Sequence, residues 1–81
     1  MKTLGNAIAD RLNQYLNNNN LTQYKLAELS GVPFATIKSI IQRRTKTINL
    51  KTIILLSSGL NIKPSEFIDD DSFLASNLDL E

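Results

Sequence analysis

The sequence predicts an all-α protein, five short helices in one orthogonal bundle. Three observations carry that expectation. Apolar residues recur at helical spacing through successive segments, with polar residues between them. The segments start at capping residues or prolines and stop at Asn or Gly. No stretch shows sustained alternation between turn signals, so no sheet is expected. At 81 residues the chain has room for one core, and 42% hydrophobic against 21% charged residues is enough apolar material to build it. Two regions are expected, a helical domain over 1–68 and an acidic, apolar tail over 69–81.

Leu4, Ile8, Leu12, Tyr15 and Leu16 form the inward row of a first helix, with Thr3 as its cap. The Asn17–Asn20 run stops it, because Asn tolerates left-handed geometry and competes for backbone hydrogen bonds. Thr22 caps a second helix whose inner residues are Leu26, Ala27 and Leu29, closed by Ser30-Gly31. Pro33 opens a third helix with Ile37, Ile40 and Ile41 on one side. Phe34, Ala35, Lys38, Ser39 and Gln42 fall on its other side. A basic connection, residues 43–49, leads to Asn49, the cap of a fourth helix from Leu50 to about Leu60. There Ile53, Ile54 and Leu56 are assigned inward and Leu55 outward. Asn61 suits a left-handed helix end, and Pro64 starts a fifth helix reaching Ile68. The tail beyond Asp69-Asp70-Asp71 reads equally as short helix, strand or disorder.

Composition removes several kinds of chemistry. With no cysteine there is no disulfide framework and no thiolate site. With no histidine the commonest general base and zinc ligand are missing. No run approaches the ~18 apolar residues of a membrane span, and the first ten residues lack the apolar core of a signal peptide. A soluble cytoplasmic protein without cofactor, metal or catalytic group is expected. The acidic triplet 69–71 lacks the Gly and distal Glu of a calcium loop and reads as a solvated helix end.

Charge is divided along the chain. Lys25, Lys38, Arg43, Arg44, Lys46 and Lys51 face only Glu28 in the middle of the sequence, whereas Lys63 is outnumbered by Glu66, Asp69, Asp70, Asp71, Asp79 and Glu81 after it. The basic block coincides with two short helices joined by a tight turn containing Gly31, the generic helix-turn-helix. In that geometry the second helix of the pair enters the major groove of DNA, its N-terminal side chains nearest the base edges. The small residue needed where the helices cross is Ala27. Gly31 permits positive φ at the turn.

The stretch LTQYKLAELSGVPFATIKSI, continued by NLKTIILLSSGLNIKPSEF, resembles the phage-repressor and Cro-type helix-turn-helix family, also called the xenobiotic-response-element family. Leu21-Thr22-Gln23, Leu26-Ala27, Gly31-Val32, Thr36-Ile37, Leu50, Thr52, Leu60-Asn61-Ile62 and Glu66-Phe67 carry the likeness, which spans about residues 4–68. The resemblance implies a lambda-repressor-like fold of bacterial or phage origin and binding to double-stranded DNA. It implies base-reading positions at Phe34, Ala35 and Ser39, with Lys38 beside them. It implies phosphate contacts from Gln23 and from the loop residues Arg43, Arg44 and Lys46. Phe34 has a second reading, as a surface aromatic packed on the second helix.

This sequence departs from the family in four places, one of them Phe34, which stands where polar readers are common. The third helix ends Ile41-Gln42-Arg43 instead of Glu, a variable residue and Gly, so either a non-glycine residue turns left-handed or the helix runs on. Leu16 and Ile41 stand where some members place an Arg–Glu pair, and apolar packing is expected instead. Thr47-Ile48 replaces Asn-Pro before the fourth helix.

The reading that results is a sequence-specific DNA-binding transcriptional regulator, in the first place a repressor. The alternative is a protein-interaction module of the same fold, an antitoxin or a regulator of another repressor. The partners expected are double-stranded DNA, a second copy of the chain and a regulatory protein. Leu55, Phe73 and Leu74 are apolar residues assigned outside the core. They are expected either to make a dimer seam or to fold the tail back onto its own domain.

Overall fold

Extended Lys2–Thr3, strand β1, leads into helix α1, Leu4–Asn18. The Thr3 hydroxyl accepts the Asn6 amide at 3.2 Å and begins the helix as expected. The computed structural model describes residues 1–80. Helix α2 spans Gln23–Ser30 from the Thr22 cap, α3 Phe34–Ile41, α4 Leu50–Gly59 from the Asn49 cap, and α5 Pro64–Phe67. Two single-turn 3-10 helices come next, Asp71–Phe73 and Ala75–Asn77, and then strand β2, Leu78–Asp79.

Three helices stop in the same way. After α1, α3 and α4, one residue turns left-handed: Asn20 at φ 50°, Arg43 at 62° and Asn61 at 59°. The next amide reaches back to a carbonyl five residues earlier: Leu21 to Leu16, Arg44 to Ser39 and Ile62 to Ser57. This closure satisfies end carbonyls that would otherwise lack donors. Asn tolerates the geometry; Arg does so at a cost of roughly 1 kcal/mol. Helix α2 instead ends at Gly31, φ 75°, where the turn toward α3 begins.

One core joins the helices. Ile8, Leu12 and Leu16 of α1 meet Leu26, Val32, Ile37, Ile40, Ile53, Leu56, Leu60 and Phe67. Burying each large side chain contributes about 1.5–3 kcal/mol, which is why these rows, rather than helix propensity, fix the bundle. Helix α2 packs chiefly on α4, and α1 on α3. Leu16 is buried and Ile41 packs against the same core, so apolar contacts stand where some relatives have an ion pair. Buried Ser57 donates its hydroxyl to the Ile53 carbonyl at 2.7 Å and leaves no unmet polar atom.

Arg11 ties α5 to α1. Its Nε donates to the Phe67 carbonyl at 2.8 Å, and Nη2 donates to Glu66 at 2.6 Å and Asp69 at 3.2 Å. The same guanidinium stands 4.8 Å from the Tyr15 ring, and that ring stacks on Phe67. A cation thus caps the carbonyl end of α5, where the helix dipole favours positive charge.

Three sequence expectations need correction. There is a sheet, though a minimal one: β1 and β2 pair in parallel, Lys2 opposite Leu78 and Thr3 opposite Asp79. Two-residue strands are too short to leave an alternation signal. Leu29 is exposed rather than inward. On α4 the outward row is Leu50 and Ile54, while Leu55 packs against the core. In a run of four apolar residues, only the position of the neighbouring helix decides which side faces in. Of the two readings of the tail, the structure has it folded back on its own domain. Phe73 lies 6.5 Å from Phe67, Leu78 is buried, and only Leu74 of the two proposed seam residues in the tail remains exposed. No helix among the described residues is long and apolar enough to cross a membrane. No metal-binding cluster occurs among them.

Candidate nucleic-acid interface

The turn at Gly31 and Pro33 sets α3 across α2 with its isoleucines inward. Ile37 and Ile40 are buried, so Phe34, Ala35 and Lys38 are left on the outer side, with Ser39 half-buried at its edge. Residues four apart lie one above another on a helix, which puts Lys38 over Phe34 and Ser39 over Ala35. The four residues expected to read bases therefore share one face. Gln23 stands in the first turn of α2, half-buried.

Phe34 is less free than its neighbours. Its ring centroid is 4.9 Å from that of Tyr24 on α2, at 38°. Tilted aromatic pairs at this distance are favourable by about 0.5–1.5 kcal/mol. The ring is thus anchored on α2 while keeping one edge exposed. The packing on the second helix leaves Phe34 37% exposed.

Beyond α3 the chain reverses at Arg43, and the basic residues of the loop separate into two kinds. Arg44 and Lys46 are exposed, as is Lys38, and none of the three enters an ion pair among the described residues. Arg43 is held internally. Its Nη2 donates to Asp10 Oδ1 at 2.6 Å, and its Nη1 donates to the Asn6 carbonyl at 3.1 Å and to Asn6 Oδ1 at 3.4 Å. Lys2 takes the other Asp10 oxygen at 2.8 Å. The Lys2 ammonium, and then the Arg43 guanidinium, hold the Asp10 carboxyl below its ordinary value of 3.8, against a smaller opposing effect of burial.

The loop also approaches α1 through its backbone. A Cβ on Gly5 would collide with the Thr45 carbonyl oxygen, so the absence of a side chain at position 5 is what lets the loop lie against α1. Thr45 Oγ1 is enclosed there without a hydrogen-bond partner. Sequence reasoning missed Asp10, Asn6 and Gly5 as neighbours of the loop. Nothing local marks them, because their partners lie more than thirty positions away.

A domain with this turn and this exposed helix is of the helix-turn-helix class. Residues 12–67 match the helix-turn-helix family, and the chain belongs to it, in its Cro/C1-type branch. That family consists of DNA-binding regulators and is not a family of enzymes. The chain is also similar to "Control protein C.SmaI" from Serratia marcescens, with 39% identity over 54 residues. The match covers 67% of this chain and 63% of that protein, so it spans less than two thirds of the relative's length. No solved structure matches the chain.

Proposed function

We propose that this protein binds double-stranded DNA sequence-specifically, with α3 in the major groove, and acts in the cytoplasm as a transcriptional repressor. The binding unit is residues 1–68. The observation that carries the reading is the exposed outer side of α3 and of the loop after it: Phe34, Ala35, Lys38 and Ser39 for base edges, then Arg44 and Lys46, in no ion pair among the described residues, for phosphate. Gln23 joins the phosphate contacts from α2. Arg43, bonded to Asp10 and Asn6, supports the loop from α1. Phe34 and Ala35 offer apolar surface that suits a thymine methyl and donate no hydrogen bond. A bound domain blocks a promoter by occupancy alone, and a regulatory role agrees with the name of the control protein to which the chain is similar.

The deciding experiment is selection of bound sequences from random duplex DNA, then titration at several salt concentrations. The expected result is a defined site and a log–log salt slope that shrinks by roughly 1 on Arg44→Ala or Lys46→Ala. Ala35→Gln should change the selected sequence by creating an adenine contact. Salt-independent binding, or none, would favour the protein-interaction reading.

A two-fold site and a dimer belong to the same proposal, because one domain offers a single recognition helix and single modules bury only about 600–1,000 Å² on DNA. With Leu55 and Phe73 drawn toward their own core, the exposed α4 row Leu50 and Ile54, and the exposed Leu74, are among the apolar side chains left for pairing. Half-sites would then be centred about 34 Å apart. Sedimentation of Ile54→Asp against wild type tests the seam, and an unchanged dimer would exclude it.

A further inference from the structure

Arg43 combines two features that rarely coincide. Its backbone sits in left-handed geometry, which asparagine or glycine would adopt more easily, and its side chain makes three hydrogen bonds to α1. A residue held against its backbone preference by its own side chain constrains the path of the chain after it. The next residue, Arg44, closes α3 through its amide on the Ser39 carbonyl, and Lys46 stands two positions further on.

We infer that Asp10, together with Asn6, is a positioning residue for DNA binding: by gripping the Arg43 guanidinium it fixes the loop that carries Arg44 and Lys46 beside α3. The inference rests on the DNA-binding reading and adds to it a residue on α1 that lies outside the α2–α3 unit and the loop. Gly5 serves the same junction from the backbone side, since it admits the Thr45 carbonyl against α1. Lys2 shares the Asp10 carboxylate and keeps it ionised and oriented. Residues from the first ten positions therefore set where two phosphate contacts stand.

The sign of the effect separates positioning from plain electrostatics. Asp10 carries negative charge, and removing it from a DNA-binding protein strengthens attraction to every duplex unless the carboxylate has a structural task. The test compares wild type, Asp10→Asn, Asp10→Glu, Arg43→Ala and the Asp10→Asn/Arg43→Ala double variant. Each is measured by fluorescence anisotropy on the selected duplex and on a scrambled one, with Asp71→Asn as a charge-only control. Amide exchange of Arg44 in the free protein is measured in parallel.

Positioning predicts that Asp10→Asn weakens the selected duplex by about fivefold, the scale of an exposed ion pair, without weakening the scrambled one. It predicts faster exchange at Arg44, recovery in Asp10→Glu, and a double variant no worse than Arg43→Ala alone. Tighter binding of Asp10→Asn to both duplexes, matching Asp71→Asn, would overturn the inference. So would additive losses in the double variant, or unchanged exchange at Arg44. A wild type that discriminates neither duplex defeats the DNA-binding reading itself, and this inference with it.

Discussion

Asp10 and Arg11 are neighbours on α1, and they clasp different parts of the chain by different means. Arg11 is enclosed, its side chain 13% exposed, and its guanidinium is satisfied mainly by carbonyls of α5 and the residues after it. Asp10 is 40% exposed and shares its carboxylate between Lys2 and Arg43 in solvent-accessible ion pairs. The difference teaches what each junction is suited to. Carbonyls cannot be neutralised by pH, so the α1–α5 junction keeps its acceptors at any pH. An exposed pair is screened and modest in strength, so the ionic part of the α1–loop junction weakens with salt. The enclosed clasp secures α5, and the salt-sensitive one holds the loop of the candidate DNA face.

The contrast is open to direct attack. Arg11→Met keeps the apolar stem but strips donors from several carbonyls. It should destabilise the protein by about 1.5–3 kcal/mol, the scale of hydrogen bonds to a charged group, and lower the thermal midpoint by roughly 10 °C. Circular dichroism melts would show it. A loss no larger than that of Asp10→Asn would erase the distinction between the two clasps. Gly5→Ala comes next. Its Cβ meets a backbone carbonyl that cannot rotate away, and overpacking of this kind costs about 1–3 kcal/mol. The same melts, together with weaker binding to selected DNA, would place the damage at the loop.

Asp10→Asn should cost under about 1 kcal/mol at low salt and close to nothing at 1 M salt. Its pH dependence has a definite sign. The folded carboxyl titrates below its ordinary value of 3.8, so its contribution is present above that value and disappears as pH falls through the lower folded one. Urea unfolding of wild type and Asp10→Asn should therefore differ at pH 7 and converge only as pH falls below the lowered value of the folded carboxyl. The exposure of the pair keeps this the smallest of the effects.

The parts of this architecture visible in the sequence were those governed by local rules. Thr3, Thr22 and Asn49 cap helices, Gly31 and Asn61 turn left-handed, and the inward rows of α1 and α3 obey their spacing. The outer α3 face was legible for the same reason, since once Ile37 and Ile40 point inward the remaining positions have one place to go. What was hidden depends on partners distant in the chain. Arg11 looks like any polar residue on an amphipathic helix until α5 arrives beside it. Ile54 and Leu55 exchange roles because the side of α4 on which α2 packs is not encoded by any pattern within α4. Arg43 resembles its neighbour Arg44 in type, and its left-handed backbone and its partners Asp10 and Asn6 on α1 tell them apart.

The pairing of β1 with β2 has a consequence for the order in which the chain assembles. The helices close short loops, and the entropy of bringing ends together grows with the logarithm of the segment enclosed. The contact between Lys2–Thr3 and Leu78–Asp79 encloses nearly the whole chain. Two residues on each side, with Leu78 as the buried anchor, return little for that closure. The pair is therefore the last to form as the protein folds and the first to open, a clasp that reports a completed bundle without helping to nucleate it.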